Sequence, residues 1–183
     1  MEPEHAAPPT NGPRVLRRFV SASADATEAL GFALGALLVP GSVVALDGEL
    51  GSGKTCMVRG IARALGVTDP VTSPTFTLMH QYRGRIPVQH LDAWMHARGE
   101  AFLADGGAEW LGGDGIALVE WAEHVREWLP VPRLSVALAH AGGDRRRIEV
   151  AWLDAPDTRG AIGRGLQSLL APAGIRDKPE DAS

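Results

Sequence analysis

The run Gly48-Glu49-Leu50-Gly51-Ser52-Gly53-Lys54-Thr55 restricts what this chain can fold into more than any other feature of it. It matches G-x-x-x-x-G-K-[ST], in which glycines let the backbone wrap closely with its N–H groups turned inward on an anion. Lys54 brings a point charge to the outer phosphates and Thr55 a hydroxyl to Mg²⁺, while the helix that follows adds the positive end of its dipole. Such a loop needs a buried strand before it and an amphipathic helix after it, and both are written into its flanks. Residues 42–47 (SVVALD) form an apolar strand; over 54–65, Met57, Ile61 and Leu65 share one helical face with Val58 and Ala62 beside them. The stretch from Gly48 through Cys56 is therefore the expected cradle of a nucleoside triphosphate.

The alternation continues outward. Strands are expected over 14–21, 76–82, 87–91 and 115–120, a late hairpin over 134–140 and 146–152 around Gly142-Gly143, and helices over 23–38 and 161–170. Asp25 and Glu28 place negative charge in the opening turn of the first helix, just after Ser23. Strand-helix-strand-helix order with two wholly apolar strands predicts an α/β architecture: a P-loop NTPase-like sheet, parallel at the centre with antiparallel additions, flanked by helices. At 183 residues, 45% hydrophobic and 22% charged, the composition is that of one ordinary domain. That domain is expected over 14–172, after a disordered Pro-rich leader over 1–13 and before a flexible tail over 173–183.

Composition removes several classes of function. Lys and Arg number 18 against 22 Asp and Glu, a net charge of −4, so no global attraction draws the chain to phosphate backbones or anionic membranes. A single cysteine excludes a disulfide framework and a cysteine-based zinc site, and six histidines without an HExxH pattern offer no structural-metal ligand set. The longest apolar run, 29–39, contains Gly31 and Gly35 and is too short to cross roughly 30 Å of hydrocarbon. A cytoplasmic protein without membrane contact is the expectation. Arg145-Arg146-Arg147 reads first as a charged strand edge guarded against edge pairing, and only second as a contact for nucleic acid. Trp110 and Trp128, in polar settings, mark an expected partner surface, while His80 and His90 read as hydrogen-bonded structural groups.

A P-loop specifies a triphosphate but not a reaction; hydrolysis also needs an acid near the metal and something to orient water. Two acids end strands. Asp92 follows 88–91 and Glu120 follows 116–119, both at the carboxyl edge of the sheet where the loop lies. Glu120 is the stronger candidate, because the run before it is wholly apolar.

The P-loop, then Ser73-Pro74-Thr75-Phe76-Thr77-Leu78, then His90-Leu91-Asp92 and Val119-Glu120-Trp121, together in this order, resemble the TsaE family, the bacterial ATPase of tRNA threonylcarbamoyladenosine biosynthesis. The resemblance runs from about Phe19 to the late hairpin. It implies Mg²⁺ held by Thr55 and Glu120, hydrolysis of ATP supported by Asp92, Lys54 on the phosphates and Trp121 packed beside them. It also implies a switch loop at Ser73, Pro74 and Thr75, and it puts Thr27 and Arg145 near the adenine. The implied partners are the protein subunits that make threonylcarbamoyladenosine, with tRNA contacted indirectly and with the transferase residing in a partner. Three positions depart from the family's pattern. Glu49 stands where Asp is frequent, Cys56 where a second Thr is frequent, and Trp94-Met95 where Tyr-Arg is frequent, which removes a guanidinium after Asp92.

Three alternatives share the P-loop. A small-molecule kinase needs an arginine-rich lid, whereas 95–115 offers Arg98 alone. A nucleotide-dependent adaptor that never hydrolyses has no use for Asp92 and Glu120. A GTPase is disfavoured by the absence of an Asn-Lys-x-Asp motif.

Overall fold

The computed structural model describes residues 14–153, 164–165, 168–169 and 171–177. The leader expected over 1–13 lies outside these residues, and so does most of the helix expected over 161–170. Among the described residues the chain runs β1 (Arg14–Ser21), α1 (Ala24–Gly35), β2 (Val43–Asp47), α2 (Lys54–Ala64), β3 (Met79–Tyr82), β4 (Val88–Asp92), α3 (His96–Ala104), β5 (Ile116–Glu120), β6 (Arg133–His140), β7 (Arg146–Leu153) and β8 (Ile175–Asp177). Two 3-10 segments, Gly107–Trp110 and Ala122–Trp128, flank β5.

The strands form one sheet in the order β3-β4-β5-β2-β6-β7-β1-β8. β4, β5, β2 and β6 are mutually parallel, and β3, β7, β1 and β8 add on antiparallel. The parallel centre and antiparallel additions follow from the sequence pattern: strands buried on both faces need crossovers, and these carry the helices. β2 sits between β5 and β6, so the chain leaves its carboxyl end at a point where neighbouring connections diverge and a crevice opens.

Each face of the sheet has its own core. Val44 and Leu46 of β2 join Leu118, Val136, Ile148 and Phe19 under α1 and α2. Ala45, Val119 and Leu91, on the alternate positions, pack beneath α3 and the segment after β5 with Leu103 and Val125. Met57, Val58, Ile61, Ala62 and Leu65 are all buried, as the helical spacing requires. Ser23 caps α1 by accepting a hydrogen bond from the Ala26 N–H at 3.1 Å. α1 and α2 lie so close that a Cβ on Gly60 would stand 2.0 Å from the Glu28 carbonyl oxygen. Only glycine fits there.

Three elements differ from the sequence-based expectation. β3 begins at Met79 rather than at 76, because the chain turns through 75–77 and Leu78 takes a left-handed φ of 67°. α3 occupies part of a stretch in which no helix was expected. The tail also differs: Ile175–Asp177 pair with β1 as an eighth strand, with Ile175 buried against the α1–α2 core. The Arg17 guanidinium bonds the Asp177 carboxylate across that pair.

Candidate functional site

The loop after β2 is shaped by its backbone. Gly48 has φ 142°, and a Cβ there would meet the Leu138 carbonyl oxygen of β6 at 2.3 Å, so the chain can turn between strands only with glycine. Lys54, first residue of α2, is buried. Its Nζ donates to the carbonyls of Gly48 at 2.5 Å and Glu49 at 3.0 Å and lies 3.6 Å from the centroid of the Trp121 ring. Burial pulls the amine's pKa down, while the charges of Glu120, Glu123, Asp92 and Asp47 oppose it.

Trp121 reaches the lysine from the far side because it follows β5 in a left-handed conformation, φ 56°, uncommon for a bulky residue. Trp94 packs against it, centroids 4.4 Å apart. An apolar ring over a buried cation is attracted through its quadrupole, so the two tryptophans wall the cleft and hold the ammonium in place.

In-register parallel pairing sets Asp92 directly opposite Glu120. The Glu120 carboxylate, almost wholly buried, accepts from the Thr55 hydroxyl on Oε2 at 3.0 Å and lies 2.9 Å from His90 Nε2 on Oε1. Asp92 serves the segment 73–75: its Oδ2 accepts from Ser73 and, at 2.7 Å, from Thr75, while Oδ1 accepts the Trp94 N–H at 2.8 Å. Lys54, Thr55, Ser73, Thr75, Asp92 and Glu120 thus line one cleft of about 390 Å³ with Leu50, Gly51, Ser52, Gly53 and Cys56. Pro74 stands between two of its lining residues, and Glu49 enters through its carbonyl.

A second hollow, about 460 Å³, continues past Gly51, Gly53 and Cys56 toward Ser23 and Thr27. Thr27 is buried there, bonded to Ser21 Oγ at 2.8 Å and to the Ser23 carbonyl at 3.1 Å. The late glycine turn reaches this hollow through Asp144 and the adjoining Arg146, whose guanidinium donates to the Gly51 carbonyl at 3.2 Å. Arg145, the residue picked from sequence, is exposed on the turn and donates to the Gly142 carbonyl. β7 starts at Arg146, as the sequence pattern gives it; Arg145, named from the family resemblance, is the last residue of the turn and does not line the hollow. Cys56 is half-buried and accepts from Arg59 at 2.9 Å.

Sequence reasoning passed over one group near the loop. Asp47 and Glu123 lie behind it on the α3 face, with Arg126 at 3.3 Å from Asp47. Burial, then the hydrogen bond and charge of Glu123, push the Asp47 carboxyl up to about 6, and Arg126 pulls the other way. No helix among the described residues is long and apolar enough to cross a membrane.

A glycine loop between a central parallel strand and a helix, with a buried lysine at the helix start, defines a P-loop NTPase-like protein. Its relatives narrow that class. A family model described as threonylcarbamoyl adenosine biosynthesis protein TsaE matches residues 21–148. The tRNA threonylcarbamoyladenosine biosynthesis protein TsaE of Treponema pallidum is 42% identical over 134 residues, 73% of this chain and 99% of that one. The protein of the same name from Bacillus subtilis is 40% identical over 126 residues, 68% of this chain and 78% of its own length. The crystal structure of Bacillus subtilis YdiB covers 87% of this chain and 95% of its own with a TM-score of 0.69 at 30% identity. The chain belongs to the TsaE family.

Proposed function

We propose that this chain binds Mg-ATP in the cleft and hydrolyses it slowly, in support of the cytoplasmic protein complex that makes threonylcarbamoyladenosine in tRNA. The transfer itself belongs to a partner subunit. The observation that carries the reading is the 3.0 Å bond between Thr55, at the start of α2, and Glu120, at the end of β5. It brings a hydroxyl and a carboxylate, both oxygen donors of the kind Mg²⁺ takes, to the floor of a loop built to receive phosphates. The donor set fits the ion, and Thr55 and Glu120 are the residues that would hold it. Held there, the ion would supply charge neutralisation for the phosphate oxygens.

The chain's own groups supply the rest. Lys54 rests on two carbonyls and an indole ring, contacts that a triphosphate can replace with stronger ones. Asp92 holds Ser73 and Thr75 against the cleft, which lets the segment register what occupies the phosphate end. Thr27 and Arg146 line the hollow beyond the loop, the proposed seat of the base and ribose. Arg98, the sole arginine of 95–115, donates to Met95 Sδ, so the segment supports no phosphate-closing arginine lid. Half-exposed Trp110 and Trp128 are the proposed contacts for a protein partner.

Lys54→Ala is expected to abolish ATP binding by calorimetry; micromolar affinity in that variant removes the P-loop assignment. Glu120→Ala should retain most ATP binding yet lose at least about tenfold in turnover, roughly 1.4 kcal/mol of transition-state stabilisation. Unchanged turnover means that another acid serves the metal. Phosphate found on an added metabolite rather than in solution supports a kinase instead, and no turnover even with the modification complex supports an adaptor.

A further inference from the structure

We propose that His90 is a positioning residue: its Nε2–H pins one oxygen of Glu120 and thereby sets the affinity of the cleft for Mg²⁺. This rests on the reading that Thr55 and Glu120 hold the metal.

His90 lies in the middle of β4 with no exposed surface. Side-chain alternation puts it on the α1–α2 face with Val88, and Leu118 is its partner on β5. An imidazole in such an apolar layer is costly unless it is bonded. Its one hydrogen bond among the described residues runs to Glu120 Oε1, at 2.9 Å. A carboxylate oxygen accepts, so Nε2–H is the donor of this pair. Nδ1 is buried with no hydrogen-bond partner among the described residues.

The ring gives the backbone no hydrogen bond among the described residues, and its one bond serves the acid of the site. The ring itself is held by packing, its centroid 6.3 Å from that of Tyr82, whose hydroxyl donates to the Thr72 carbonyl just before the switch segment. With Oε1 committed to His90, Glu120 presents Oε2 and the adjoining Thr55 hydroxyl to the cleft. Hydrogen-bond partners that orient a metal ligand typically contribute about 10–100-fold to metal affinity or activity.

The test uses the full chain, a fluorescent ATP analogue, and titration with magnesium chloride against an EDTA control, beside steady-state turnover. His90→Leu removes the donor, and His90→Gln places an amide N–H at nearly the reach of Nε2. In His90→Leu the metal-free nucleotide affinity should stay within about twofold of the parent, while the Mg²⁺ needed for half-saturation rises at least about tenfold. kcat should fall, with KM for ATP at saturating Mg²⁺ little changed. His90→Gln should restore both to within about threefold. If His90→Leu does not fold, His90→Asn replaces it, since its amide is equally polar but falls short by one methylene. A folded His90→Leu or His90→Asn with the parent's Mg²⁺ requirement, or a His90→Gln no better than either, overturns the proposal. Glu120→Gln separates the two readings. If it leaves the Mg²⁺ requirement unchanged, the metal assignment fails and His90 with it; if it raises the requirement while His90→Leu does not, only the role of His90 fails.

Discussion

Asp47 precedes the phosphate loop, yet its carboxyl lies on the other side of the sheet, because side chains alternate along β2 and Asp47 follows Ala45 onto the α3 face. Its carboxyl sits near 6 instead of 3.8. A carboxyl raised on folding keeps its proton in the folded chain at pH values where the unfolded chain has already released it. Its contribution to stability is therefore full below about pH 4 and is lost as pH rises through about 6. The loss amounts to roughly 2–3 kcal/mol. Asp47→Asn keeps the shape and loses the charge. Followed by circular dichroism, its Tm should match the parent's near the lower end of that window and exceed it by roughly 4–12 °C above the upper end. A pH-independent difference means that the carboxyl ionises freely in the folded protein. The same alternation explains what was legible at this scale. Glu120 could be read as a strand-end acid because a wholly apolar run points at it, and Asp92 because it closes a strand at the same sheet edge, whereas Glu123 and Arg126 sit on a 3-10 segment with no periodic signal.

At the scale of elements, α1 packs tightly on α2, and Gly60 decides how near they come. Alanine is better than glycine in a helix interior by about 1 kcal/mol. Its methyl, however, would stand 2.0 Å from the Glu28 carbonyl oxygen, which is backbone and has no rotamer to swing away. Overpacking of this kind costs typically about 1–3 kcal/mol and more where backbone must move. The clash wins: Gly60→Ala is expected to lower the Tm by several degrees, read by thermal denaturation, and a raised Tm would show that the helices separate freely. Elements with strong periodicity could be read directly. α2 buries five apolar side chains at helical spacing, and β2 and β5 are runs without a polar interruption. α3 could not, since its buried positions are Gly99 and Leu103 alone. β8 is three residues long with one buried side chain, too little pattern to distinguish from a polar tail. The early end of β3 has a different cause: Leu78 adopts a left-handed backbone without the glycine that usually announces one.

Across the whole molecule the cleft gathers parts distant in sequence: the loop after β2, the start of α2, the ends of β4 and β5, and the segment 73–75. A ligand that bridges them binds the folded chain and has no counterpart site in the unfolded one. Mg-ATP should therefore stabilise the protein as a unit, by about 2.7 kcal/mol at a concentration one hundred times Kd. For a chain of this size each kcal/mol moves the Tm by about 2–4 °C, which gives a rise of roughly 5–11 °C. Mg²⁺ alone, meeting Thr55 and Glu120 without phosphates, should move it little. Lys54→Ala should show no rise at all, because it removes the ammonium proposed to draw the outer phosphates and leaves the helices and both cores intact. Differential scanning calorimetry on the parent and this variant, each with and without Mg-ATP, checks the set. Equal shifts in the two proteins mean that the nucleotide stabilises the chain from somewhere other than the loop after β2.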